Sequence, residues 1–180
     1  MLESLGYTRL WLNYEILTTD ELAAQYMQFR SGEDTNTEHY RYSTLKRYLT
    51  TKQMLTDDEL DAYLGLVTAE QDRAMAAAAA VDLIKLPKLT TSQFEQACKV
   101  LDSVEHRLTK LIDRWKLVRK LTDSQPNEKL FAECMLEGDQ VVQERLVSLA
   151  SATQLQHLIE FGITKKVRKL AVEKLRTRFS

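Results

Sequence analysis

The sequence predicts an all-α fold, and three observations carry that prediction. Only 5 of the 180 residues are glycine and 2 are proline, too few for the many tight turns of a sandwich or barrel. Apolar residues recur at helical rather than alternating spacing nearly everywhere. Threonine-led helix starts recur along the chain. An apolar fraction of 44% over this length suits one all-helical domain, residues 1–180, with a sizeable core. Two architectures fit: an array of stacked helix pairs with repeat starts near residues 17, 55 and 89, or an irregular multi-helix bundle built on a long heptad-patterned helix.

Taken in order, Leu5, Tyr7, Leu10, Trp11, Tyr14 and Leu17 suggest a first helix. Thr18 starts a second, with Leu22, Ala23, Tyr26 and Phe29 on one side, and residues 32–36 form a turn. Thr37 opens a helix through Tyr40, Leu45, Tyr48 and Leu49, whose apolar residues make a buried stripe. Thr56 opens the next, carrying Leu60, Tyr63, Leu64 and Val67. Thr68 is read as the start of a helix through the alanine run, stopped by Pro87. From Phe94 to Val118 two series fall seven apart: Phe94, Leu101, Leu108, Trp115 and Ala97, Val104, Leu111, Val118. This is the seam of knobs-into-holes packing. It predicts either one helix over 91–121, roughly 45 Å long at ~1.5 Å per residue, or two with a break near Asp102 and Ser103. Helices over 128–137, 140–149, 152–161 and 165–178 follow, with Gly138 and Gly162 at C-terminal cap positions.

The helix-start motif appears as Leu17-Thr18-Thr19-Asp20-Glu21-Leu22, as Leu55-Thr56-Asp57-Asp58-Glu59-Leu60 and as Leu89-Thr90-Thr91-Ser92-Gln93-Phe94. In each, the threonine hydroxyl caps free amides and the Glu or Gln three residues on reaches back to the cap. The preceding leucine packs on the apolar residue that follows. At the C-terminal end, Leu155, Leu158, Ile159, Phe161 and Gly162 lead into Val167-Arg168, Ala171 and Leu175. This helix pair, residues 152–178, resembles a HEAT-type repeat, whose second helix often reads Val-Arg, a small residue, then Leu. The resemblance implies a right-handed stacked array, an α-solenoid, with a partner-binding face. HEAT-type proteins are usually scaffolds, and a few bind or repair nucleic acid. The turn here is Gly162-Ile163-Thr164, without the aspartate such repeats often place there, which leaves Arg168 without that partner.

Chemistry-bearing motifs are sparse. His39, His106 and His157 sit far apart, and none stands in a His-Glu-x-x-His or Glu-x-x-His pattern. Cys98 and Cys134 fall beside apolar helix positions and read as small buried hydrophobes. No glycine-rich phosphate loop occurs. Acidic residues at the helix starts suit the positive end of the helix dipole. No catalytic, metal-ligating or cofactor-binding residue is therefore assigned. The first nine residues lack the basic-then-apolar pattern of a leader, and no apolar run nears the ~20 residues of a membrane span. The expectation is a cytoplasmic protein with reduced thiols and no membrane partner.

Two surfaces stand out. Arg41, Tyr42, Lys46 and Arg47 make an aromatic-basic stretch suited to a peptide or single strand. Charge is also segregated: residues 1–90 carry 9 basic and 14 acidic side chains, and residues 91–180 carry 16 and 12. In the basic half, Lys165, Lys169 and Arg176 fall nearly in line opposite Val167, Leu170, Ala171 and Leu175, a stripe able to bind phosphates. The first functional expectation is a noncatalytic scaffold or adaptor binding a protein or peptide. The alternatives are a nucleic-acid-binding protein using the basic stripe, and an enzyme whose site the sequence does not display. The heptad seam and the charge asymmetry also suit a homodimer.

Overall fold

A computed structural model describes residues 1–52, 54–121 and 125–178. The described residues form eleven α-helices and no strand: α1 (Arg9–Asn13), α2 (Thr19–Ser31), α3 (Thr37–Lys52), α4 (Asp57–Ala69), α5 (Arg73–Ile84), α6 (Thr91–Val104), α7 (Thr109–Lys120), α8 (Glu128–Glu137), α9 (Gln140–Leu149), α10 (Ala152–Phe161) and α11 (Lys165–Arg178). None of them is long and apolar enough to cross a membrane. The chain divides into two compact units, Met1–Leu108 and Thr109–Ser180.

In the first unit the three threonine motifs start α2, α4 and α6. Thr18, Thr56 and Thr90 accept from the amides of Glu21, Glu59 and Gln93, each at 3.2 Å. Glu59 and Gln93 return the bond to the cap amide, completing capping boxes. Glu21 instead turns to Arg47 and Thr44. Gln93 also donates to the Leu55 carbonyl (3.0 Å) and to Asp57 (2.8 Å), and Gln96 donates to Asp61 (2.6 Å). The contacts advance together along both helices, so α4 and α6 run parallel, starting side by side. Between them α5 packs on α3, α4 and α6. Its alanines make that closeness feasible: Ala76, Ala79 and Ala80 are buried, and Tyr63 of α4 donates to the Ala79 carbonyl (3.1 Å).

Two expectations need correction here, and one open alternative is decided. The N-terminal apolar series is not one helix. A 3-10 turn at Glu3–Leu5 ends at Gly6, left-handed at φ +72°, and α1 spans only Arg9–Asn13. Thr68 starts nothing: α4 runs through it, and Asp72 caps α5 by accepting from the Met75 amide (2.8 Å). The heptad stretch is two helices, separated at Glu105, which is extended, and by a 3-10 turn at His106–Leu108. The seam residues Phe94, Ala97, Leu101 and Val104 are buried as a set, but after the break burial moves to Ile112, Leu117 and Leu121.

The second unit contains two hairpins of one design. Asn127 and Ser151 cap α8 and α10, and Gly138 and Gly162 end them, so cap and glycine recur together 24 residues apart. Cys134 and Leu158, equally 24 apart, are both fully buried, and their carbonyls accept from the Gly138 and Gly162 amides. Neither glycine is left-handed; what matters is close approach. A Cβ on Gly138 would lie 2.2 Å from the Cys134 carbonyl oxygen and 2.7 Å from Val142 Cγ1. α8 and α10 run parallel: Gln154 donates to the Pro126 carbonyl (3.0 Å), and Phe131 packs on His157. At the far end Gln143 of α9, itself buried, donates to the Met135 carbonyl (3.3 Å) and accepts from the Ile163 amide (2.9 Å), which ties the two hairpin turns together. Gln143→Leu is expected to leave both backbone groups unpaired and to cost about 1–3 kcal/mol in urea unfolding. The core here comprises Val142, Leu146, Leu155, Leu158, Val167 and Ala171 among others.

Candidate functional site

α3 is buried on two sides, and this sorts the four residues of the aromatic-basic stretch. Tyr40, Leu45, Tyr48 and Leu49 form the apolar stripe that the spacing predicts. A second row, Thr37, Arg41, Thr44 and Arg47, faces the N-terminal segment and holds it by its polar groups. Arg41 donates to the Leu5 carbonyl (2.9 Å) and to Thr37 (3.1 Å). Thr44 shares a 2.9 Å hydrogen bond with the Tyr7 hydroxyl. Arg47 donates to the Ile16 carbonyl (2.6 Å) and to both oxygens of Glu21 (3.0 and 2.7 Å). Tyr7 also donates to Gln25 (2.7 Å).

Arg41 is thus interior, 7% exposed, and its guanidinium grips Glu70 through two parallel bonds of 2.8 and 2.9 Å. Burial pushes the Glu70 carboxyl up. Arg41 and the amides of Asp72 and Gln71 outweigh that and hold it below the usual carboxylate range. The pair borders a cleft of about 290 Å³ lined by Gly6, Leu10, Trp11 and Leu66. Tyr42 and Lys46 alone of the four turn away from the N-terminal segment. The Tyr42 hydroxyl donates to Asp82 (2.7 Å), which pushes its pKa up to about 12, and Lys46 Nζ lies 5.8 Å from the Tyr42 ring centre. The structure therefore does not gather Arg41, Tyr42, Lys46 and Arg47 into one exposed face.

In the second unit Lys165, Lys169 and Arg176 are all exposed on α11. Lys169 lies 3.9 Å from Glu173, and Lys166 beside them is paired with Glu144 at 2.8 Å. Arg168, lacking a turn aspartate, donates to the Gly162 carbonyl (2.5 Å) and so closes the end of α10. Cys98 and Cys134 are buried free thiols. Burial pushes Cys134 up to about 11, so it stays protonated at neutral pH. Among the described residues no three His, Cys, Asp or Glu side chains are placed to hold a metal ion.

The feature that sequence reasoning missed is an aromatic strip along the parallel helices α8 and α10. Phe131 meets His157 edge-on (ring centres 5.7 Å apart), and His157 meets Phe161 (4.7 Å). Phe161 is 55% exposed, and Met135, half-buried, follows Phe131 by one turn. Beyond the strip, at the turns that Gln143 joins, Leu136 is 85% and Ile163 is 55% exposed. The pairs Phe131/Met135 and His157/Phe161, each spaced i, i+4 and one hairpin apart, were the available signal. Comparison of the chain with family models, curated proteins and solved structures found no match.

Proposed function

We propose that the chain is a noncatalytic helical scaffold or adaptor that binds a protein or peptide. The observation that carries this reading is the strip Phe131–His157–Phe161 on two parallel helices, half-buried at Phe131 and exposed at His157 and Phe161, with Leu136 and Ile163 exposed on the same two hairpins. Large apolar side chains grouped at a surface mark sites of recognition. The polar clusters of the first unit, by contrast, are spent on holding the chain together. In this reading the helix pairs form a right-handed HEAT-like array. The parallel placement of α4 with α6 and of α8 with α10 supports it, since stacking of equivalent helices generates such arrays. A reducing, cytoplasmic setting suits the two buried free thiols.

A photo-crosslinking residue at position 161 tests the proposal in cells. A discrete heteromeric adduct, lost when Phe131 is changed to Glu, is the expected result. Adducts unchanged by Phe131→Glu would remove the strip as the binding surface.

The exposure of Lys165, Lys169 and Arg176 favours a second reading, nucleic-acid binding through α11. It predicts that a labelled short duplex binds at low salt, that added salt weakens it steeply, and that Lys165→Glu/Lys169→Glu abolishes binding. A flat anisotropy response at low salt rejects it.

A further inference from the structure

We infer that the partner seated on the α8/α10 strip is a cationic amphipathic helix, with Lys or Arg side chains flanking a large apolar anchor. This inference rests on the adaptor reading and adds the chemistry of its partner. The charge around the strip points that way. Glu128 precedes Phe131 by three residues and Glu160 follows His157 by three, so helical spacing puts both carboxylates on the strip side of their helices. Both are exposed, and neither has a hydrogen bond or ion pair among the described residues. Along α8 and α10 the carboxylates are Glu128, Glu133, Glu137 and Glu160, against Lys129 alone. Glu133 is already matched to Lys120 of α7.

The basic excess of this unit sits elsewhere, on α7 and α11. An acidic partner would therefore meet like charge at the strip, and a phosphate backbone would as well. A cationic helix meets the opposite sign. Its apolar anchor covers Phe161 and Met135, and its ammonium or guanidinium groups reach the carboxylates and the faces of the rings.

The test uses the full chain and two labelled helical peptides of Ala and Leu, one carrying lysines beside the leucines and the other glutamates at the same places. The lysine peptide is expected to bind. Glu128→Lys/Glu160→Lys should weaken it about tenfold or more, Phe161→Ala should weaken it too, and Asp58→Lys on the first unit should not. All exchanged side chains are exposed, so unchanged helical circular dichroism separates lost binding from lost folding. Equal binding to the Glu128→Lys/Glu160→Lys variant overturns the inference, since attraction then lies elsewhere. Preference for the glutamate peptide, still sensitive to Phe161→Ala, overturns the partner's charge but leaves the adaptor reading standing. Insensitivity of both peptides to Phe161→Ala removes the strip itself. Sedimentation of the wild type as a dimer that Phe161→Ala dissociates replaces the cationic helix by a second copy.

Discussion

Replacing Glu70 by alanine is expected to destabilise the fold by about 3–5 kcal/mol, because it strands the buried Arg41 without its counter-charge. The cost of desolvating the guanidinium was already met when α3 and α4 packed. Removing the carboxylate takes away both parallel bonds and leaves that cost in place. It also takes the acceptor from the Asp72 amide (2.9 Å), just before the start of α5. Arg41→Met/Glu70→Leu, which removes both charges and fills the volume, is expected to recover most of the loss. Urea unfolding at unchanged slope measures each variant. A midpoint for Glu70→Ala close to wild type would show that the pair contributes little. Gly6→Ala tests the same cluster from the other side. Its Cβ would lie 2.4 Å from Arg41 Nη1, in a backbone conformation at φ +72° that disfavours side chains.

The pair also sets an acid dependence whose sign follows from the direction of the Glu70 shift. The folded-state pKa lies below the ordinary glutamate value of 4.5. Protons therefore bind the unfolded chain first as pH falls. The contribution is whole above pH 4.5 and is lost as pH drops through the folded-state value. Glu59 and Glu144 are lowered as well, by Lys52 and Lys166 respectively, and add the same sign from the surface. Glu70→Gln is expected to flatten the fall in midpoint below pH 4.5 relative to wild type. An identical pH profile would exclude Glu70 as a source.

Local rules were legible in the chain, and long-range ones were not. The threonine caps at Thr18, Thr56 and Thr90 were readable because a cap needs only its next three residues. The last four helices follow the predicted bounds, and α8 and α10 each lie between a side-chain cap and a glycine. The heptad series left one helix or two open because a seven-residue period says which side is apolar, not whether the backbone continues. Glu105 interrupts the helix without disturbing the pattern. At the N-terminus, apolar spacing concealed Gly6 and also Glu15, which sits at φ +55°. Arg41 looked like surface charge because its partner lies 29 residues away, in a segment that no local pattern connects to it. The hairpin duplication was hidden by unlike residues in equivalent roles: Asn127 against Ser151 as caps, Cys134 against Leu158 in the core. The aromatic strip followed from that duplication, so it was missed along with it.

Leu158→Ala tests the duplicated hairpin directly and carries the second large effect. Leu158 is fully buried among Leu146, Leu155, Val167 and Ala171, and its carbonyl accepts from the Gly162 amide. Truncating a buried leucine costs about 2–5 kcal/mol, with the upper range reached where the surroundings cannot close on the cavity. Ala150 and Ala171 of the same core carry only a methyl group, and Gly162, beside the Leu158 carbonyl, carries no side chain, so none of the three can swing inward to fill the space. The loss is therefore expected in the upper half of that range. Cys134→Ala, at the equivalent place one hairpin earlier, removes only a sulfur and should cost about 1 kcal/mol. Both are read by urea midpoints, with near-ultraviolet circular dichroism reporting core order. A Leu158→Ala protein within about 0.5 kcal/mol of wild type would place Leu158 outside any closed core. The parallel seating of α8 and α10, on which the aromatic strip depends, would then have no support from packing.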